Sequence, residues 1–202
     1  LYSGFATNGG QNTNFFRYSR LNNNWVSRAQ LPVTNFNGCI TTFVNSGKIY
    51  AFLGGSNKKG IYNPSTDSWT MSDCVVPSFS ATTSVFNYMG DYYFYKSATN
   101  SILYKFDLLT ETFSVVDIPG LSDMSACFFM LNNRFYCTNE CKVYELDMPN
   151  KQLIYRPEFS NFMGTSYNTQ FYQDIAYQFV FNNKAYFLFE PHNLLTFSTA
   201  NK

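Results

Sequence analysis

The sequence predicts an all-β protein made of a repeated four-stranded unit, and three observations predict it. The first is composition. Aromatic residues make up 20% of the chain and charged residues 13%, and runs rich in Ile, Tyr, Phe, Val and Thr favour the pleated, half-buried surface of a sheet. The second is a spacing: an aromatic or large apolar residue stands seven positions after another at Tyr18 and Trp25, Tyr62 and Trp69, Phe106 and Phe113, and Leu146 and Leu153. The starts of these pairs differ by 44, 44 and 40 residues. The third is an independent marker on the same beat, Tyr2, Tyr50, Tyr93, Tyr136 and Tyr186, at intervals of 48, 43, 43 and 50. A period of about 40–50 residues with four short strands per repeat indicates propeller blades. The fold class that follows is a β-propeller of four-stranded antiparallel blades, in one domain over residues 1–202. About five blades are covered, three of them whole and the first and last incomplete.

Within a blade the strands run a, b, c, d as a meander. Blade 1, about residues 1–31, begins at strand b: Leu1-Tyr2 aligns with Ile49-Tyr50, and NFFRYS, a turn at Asn22-Asn23-Asn24 and Trp25-Val26 follow. Blade 2, about 36–76, has all four strands as NGCITTFV, KIYAFLGG, KGIYN and DSWTMS. Its turn Asn63-Pro64-Ser65-Thr66-Asp67 carries turn chemistry, because Pro64 fixes φ and the Asn and Asp side chains bond nearby backbone. Blade 3, about 80–118, reads ATTSVFNYM, DYYFYKS, SILYKFD and ETFSVVD. Blade 4, about 124–158, reads MSACFFML, RFYCT, KVYELD and KQLIYRP. Blade 5, about 170–202, has DIAYQFVF, KAYFLFE and NLLTFS and stops before strand d. Short turns at Ser46-Gly47, Gly90-Asp91, Asn132-Asn133 and Asn182-Asn183 precede strand b, as hairpins require. The inventory leads us to expect that these 202 residues are part of a longer chain, with a five-bladed ring as the alternative.

In blade 2, IYAFLGG followed by IYNPSTDSW resembles the kelch repeat: an aromatic-rich strand, a double glycine, a tyrosine, and a tryptophan after a turn. The other repeats keep the spacing with fewer of these residues; DYYFYKSATN and RFYCTNE lack the double glycine, and Phe113 and Leu153 stand where Trp69 does. The resemblance implies a propeller, often of five to seven blades, that serves as a non-catalytic protein–protein interaction module or scaffold, without a cofactor. Kelch proteins joined to BTB or F-box segments imply an alternative, a substrate-recognition domain of a ubiquitin ligase adaptor. A second alternative is a secreted propeller enzyme or sugar-binding domain.

The meander sorts the loops. The a–b and c–d turns share one face and are short. The b–c loops and the d–a crossings share the other and are longer and more varied: 7–13, 56–59, 96–100, 139–140 and 191–193 in the first class, and 32–37, 77–80, 119–122 and 160–169 in the second. Variable loops on a rigid scaffold are where recognition resides, and aromatics are enriched at interface hot spots. The candidate binding residues for a protein partner are therefore Phe36, Lys58, Lys59, Phe79, Phe162 and Tyr167. The competing reading of each ring is a plug between blades.

Other classes find little support. The formal net charge is +1 and no basic run is present, so neither nucleic acid nor an anionic membrane has an electrostatic footprint. No window approaches the roughly 20 apolar residues of a membrane helix. The cysteines Cys39, Cys74, Cys127, Cys137 and Cys141 are odd in number and irregular in spacing; they read as free apolar fillers, which favours a reducing, cytoplasmic setting. Cys137 and Cys141 flank a short loop, but a metal site there needs more ligands, and the one histidine, His192, is distant in sequence. A copper site of the galactose-oxidase kind takes two histidines. STDSW at Ser65 to Trp69 is too short for the Asp-box of sialidases. Neither a nucleophile elbow nor a phosphate loop occurs. We therefore expect no catalytic residues and no metal.

Overall fold

The computed structural model describes residues 1–4, 12–33, 36, 39–77, 83–96, 102–121, 127–139, 142–157, 175–182, 184–189 and 193–198. These residues form five antiparallel sheets, each built from consecutive strands. The first has β1 (Tyr2–Gly4), β2 (Phe15–Ser19) and β3 (Asn24–Arg28). The second has β4 (Cys39–Asn45), β5 (Lys48–Leu53), β6 (Lys58–Asn63) and β7 (Ser68–Asp73). The third has β8 (Thr83–Tyr88), β9 (Asp91–Lys96), β10 (Ile102–Asp107) and β11 (Thr112–Val116). The fourth has β12 (Cys127–Leu131), β13 (Arg134–Asn139), β14 (Lys142–Asp147) and β15 (Gln152–Tyr155). The fifth has β16 (Ile175–Phe181), β17 (Lys184–Phe189) and β18 (Asn193–Ser198). Three sheets thus have four strands and two have three. No helix among the described residues is long and apolar enough to cross a membrane.

The tyrosine marker has a structural counterpart. Tyr50, Tyr93, Tyr136 and Tyr186 are each the third residue of the second strand of a four-strand pattern. Each of the first three stacks on a phenylalanine of the preceding strand: Phe43 on Tyr50 at 4.8 Å, Phe86 on Tyr93 at 5.6 Å, and Phe129 on Tyr136 at 5.5 Å. Tyr186 lies opposite Phe179 in register. Cross-strand aromatic pairs of this kind stabilise a sheet and fix its register.

The turns also repeat. Ser46-Gly47, Met89-Gly90 and Asn132-Asn133 have positive φ at both residues, the two-residue hairpin turn whose twist matches that of the strands. Between the third and fourth strands, positive φ falls at Asn23, Asp67, Glu111 and Lys151, each five residues after its marker at Tyr18, Tyr62, Phe106 or Leu146. The sequence spacing of seven is this turn: five residues to the left-handed position, then two into the last strand.

The chain divides into two compact units. One comprises Leu1–Asn87, Asp91–Lys96 and Lys105–Ser114; the other comprises Tyr88–Gly90, Ser97–Tyr104 and Val115–Lys202. In the first unit, Phe15, Leu31, Phe36, Leu53 and Tyr62 form a buried cluster, against which Tyr2, Ile49, Trp69 and Met71 pack. A second aromatic group in that unit joins Phe52 to Phe94, Phe106 and Phe113 with ring centroids 5.2, 5.2 and 5.4 Å apart, all edge-on. Edge-to-face rings are favoured because a positive ring edge meets a negative face. In the second unit Leu131, Phe135, Tyr136, Val143 and Leu146 are buried, and Tyr88 packs on Phe135 at 5.1 Å.

Candidate functional site

Sheet two shows what the glycines, tyrosine and tryptophan of the most complete repeat do. Gly55, at φ 70°, and Asn57, at φ 41°, make the turn from β5 to β6, which explains the second of the two glycines. Gly60 lets Trp69 lie across β6: a Cβ at Gly60 would meet Trp69 Cε3 at 2.9 Å. The Trp69 indole donates to the Ala29 carbonyl at 2.8 Å. Asp67 Oδ1 accepts the Ala29 N–H at 3.0 Å and the Tyr62 hydroxyl at 2.6 Å, and Arg28 lies 3.6 Å from Oδ2. Both peptide groups of Ala29, just after the first sheet, are therefore held by one turn of the second. The Ala29 N–H, then the Tyr62 hydroxyl, pull the Asp67 carboxyl below the usual carboxylate range. Burial, then the bond to Asp67, pushes the Tyr62 hydroxyl well above the ordinary tyrosine range.

Of the candidate binding residues, the structure places three. Lys58 and Lys59 lie at the start of β6 rather than in a loop. Lys58 is half-exposed and reaches Asp73 at 2.8 Å; that hydrogen bond and charge hold the Asp73 carboxyl below its ordinary range. Lys59 is 0% exposed, with Nζ 2.5 Å from both Ser72 Oγ and Glu111 Oε2. Phe36 is 3% exposed and sits in the cluster with Phe15 and Tyr62. The exposure expected of Phe36 and Lys59 is thus corrected: a ring at a sheet crossing fills the wedge beside Leu31 and Leu53, and an amine at a buried strand position turns inward to a carboxylate. Phe79, Phe162 and Tyr167 lie outside the described residues, as does His192.

At the predicted partner end of the third sheet, the described part of the crossing after β11 forms a pocket. It has a volume of about 260 Å3 and is lined by Ile102 and Leu103 from the start of β10 and by residues 115–121. Leu103, Ile118 and Leu121 supply buried apolar walls, and Asp117 is the charged group of the lining. Gly120, at φ 81°, closes the turn in which the Leu121 N–H donates to the Ile118 carbonyl at 3.1 Å. Sequence reasoning did not single out this pocket. Its signal was the run Val115-Val116 followed by Asp117-Ile118-Pro119-Gly120, a turn set among apolar residues. The opposite end also carries exposed apolar residues. Its tight turns expose Leu21 and Leu109, each 93% accessible, at equivalent hairpin tips.

Free cysteines Cys74 and Cys137 are buried. Burial pushes the Cys137 thiol up to about 12 and also raises Cys74; a thiol so placed is a poor nucleophile at neutral pH. Among the described residues no cluster of His, Cys, Asp and Glu is placed to hold a metal ion.

The solved structure of YjhT is similar to this chain, with a TM-score of 0.65 at 18% identity. The likeness covers 93% of this chain and 68% of that one. The two share a fold. No family model matches the chain, and no curated protein does.

Proposed function

We propose that the chain is a kelch-like β-propeller that acts as a non-catalytic protein-interaction module. Its partner docks on the end of the sheets formed by the b–c loops and d–a crossings. The repeat supports the propeller: the same tyrosine pairing recurs in three sheets and the same left-handed turn position in four. The kelch reading rests on the double glycine, Tyr62 and Trp69 of sheet two: Gly55 takes a left-handed turn position, the Tyr62 hydroxyl donates to Asp67, and the Trp69 indole donates to the Ala29 carbonyl.

The observation that carries the choice of end is the pocket beside Ile102 and Asp117. A cleft of mixed polar and apolar lining with one acidic group suits a basic side chain flanked by an apolar one. Two free, buried cysteines support a reducing, intracellular setting. A photo-crosslinking residue placed singly at Ile102, Lys58 and Leu109 tests the reading in extract of the cells that make the protein. We expect a discrete protein adduct from Ile102 and Lys58 and none from Leu109. Adducts from Leu109 alone would reject this end of the sheets; no protein adduct from any site would reject the interaction reading.

A further inference from the structure

The outer strands of the first four sheets differ in how their free edges are guarded. An edge strand shows solvent a row of unpaired N–H and C=O groups, and charged residues on it keep other strands away. β3 carries Arg28, β7 carries Asp73, and β15 runs between Lys151 and Arg156. β11, TFSVV, carries no charge, and Thr112, Val115 and Val116 are β-branched. It is outermost in the third sheet, beside β10, and among the described residues no other strand or backbone group bonds to its free side. Exposure alternates at its end: Val115 is 64% exposed, Val116 half-buried, Asp117 exposed and Ile118 buried. Val115 and Asp117 thus share one side of an extended stretch, two positions apart. Among the described residues Asp117 has no ion-pair partner. The pocket of about 260 Å3 opens at this same point, and all of its lining residues belong to the second unit.

We propose that the end of β11 is a strand-addition site: an extended peptide segment of the partner pairs its backbone, antiparallel, with residues 115–117. The proposal rests on the reading that a partner docks at this end of the sheets, and it adds what the docking segment is. In strand addition, main-chain hydrogen bonds supply affinity and the side chains at alternate positions supply specificity. Residues directly opposed on one side of an antiparallel pair touch. The peptide residue opposite Val115 is accordingly apolar, β-branched or aromatic, and covers a side chain that otherwise faces water. The residue opposite Asp117, two positions along the peptide, is a lysine or arginine, whose cation meets a carboxylate with no other counter-charge among the described residues. Its aliphatic stem rests against the pocket lining, as long basic side chains do on apolar surface. A segment with a carboxylate at that position is repelled.

Panning a phage-displayed library of random dodecapeptides on the chain tests the site. We expect selected peptides to carry lysine or arginine two positions from a β-branched or aromatic residue. A selected peptide, made synthetically and labelled, should bind Asp117→Lys at least about tenfold more weakly than wild type, because like charges across an interface repel. Val115→Lys, which puts a charge on the free edge, should weaken binding as well. Both residues are exposed, so the Tm of each variant should stay near that of wild type. Amide hydrogen exchange at residues 115–117 of wild type should slow when the peptide is bound, as backbone pairing requires. A library without that motif, equal binding to wild type and both variants, or unchanged exchange at 115–117 would each overturn strand addition. The interaction reading is judged separately by the Ile102 crosslink: a protein adduct there beside any of these results removes strand addition alone and leaves the docking end standing.

Discussion

Trp69 and Trp25 occupy the same position one repeat apart, and their surroundings separate them. Trp69 is half-buried, touches Phe15 at 5.1 Å and Tyr62 at 5.1 Å, and spends its indole N–H on Ala29. Trp25 is 47% exposed and meets Tyr18 at 5.4 Å. Truncating a packed aromatic removes both its buried area and the contacts of the lining left behind. Trp69→Ala should therefore lower stability by about 2–4 kcal/mol in denaturant melts. Trp25→Ala should cost about 1 kcal/mol or less, as a surface substitution does. A loss at Trp69 as small as that at Trp25 would mean that sheet two does not pack on Ala29 as described.

At the scale of the element, the hairpin turn before the last strand is the unit that repeats most faithfully. Its left-handed position is filled by Asn23, Asp67, Glu111 and Lys151. Asn and Asp tolerate that conformation; a lysine pays for its Cβ there with about 1–2 kcal/mol, less the roughly 0.5–1 kcal/mol of extra chain entropy that a glycine loses on folding. Lys151→Gly should therefore raise stability by about 0.5 kcal/mol, visible as a small upward shift of the denaturant midpoint. A decrease would show that Lys151 contributes contacts that outweigh its backbone strain. This element was legible in the sequence, because a marker followed by a turn and an apolar residue seven positions on is a local pattern. The Phe43, Phe86 and Phe129 partners of the tyrosines were equally regular, at intervals of 43, and the tyrosine spacing alone did not reveal them. Lys59 and Phe36 were misjudged for a different reason. Whether a lysine or phenylalanine near a sheet end points in or out depends on a partner far along the chain, here Glu111 for Lys59 and the Phe15 cluster for Phe36. No local pattern carries that information.

At the scale of the whole molecule, the proposed interaction function makes a claim about which sheet ends would meet a partner. The rigid frame and the variable loops lie on the same chain but do different jobs, and substitutions should separate them. Lys58 is half-exposed and its pairing with Asp73 is a surface ion pair, which contributes about 0–1 kcal/mol to stability. The sequence alone assigns Phe79, Phe162 and Tyr167 to the long crossings proposed for the same end. Alanine at Lys58, Phe79, Phe162 or Tyr167 should therefore weaken binding of a crosslink-identified partner with Tm almost unchanged. Alanine at Lys59 or Phe36 should act in the reverse order. Each is a buried group with a structural role, so Tm should fall first and binding should follow only through unfolding. Alanine at Leu109, on the hairpin end, should leave both unchanged. Titration calorimetry beside thermal melts reads the two quantities on the same samples. Weakened binding from Leu109→Ala, with full affinity retained by the Lys58, Phe79, Phe162 and Tyr167 variants, would move the partner to the hairpin end of the sheets.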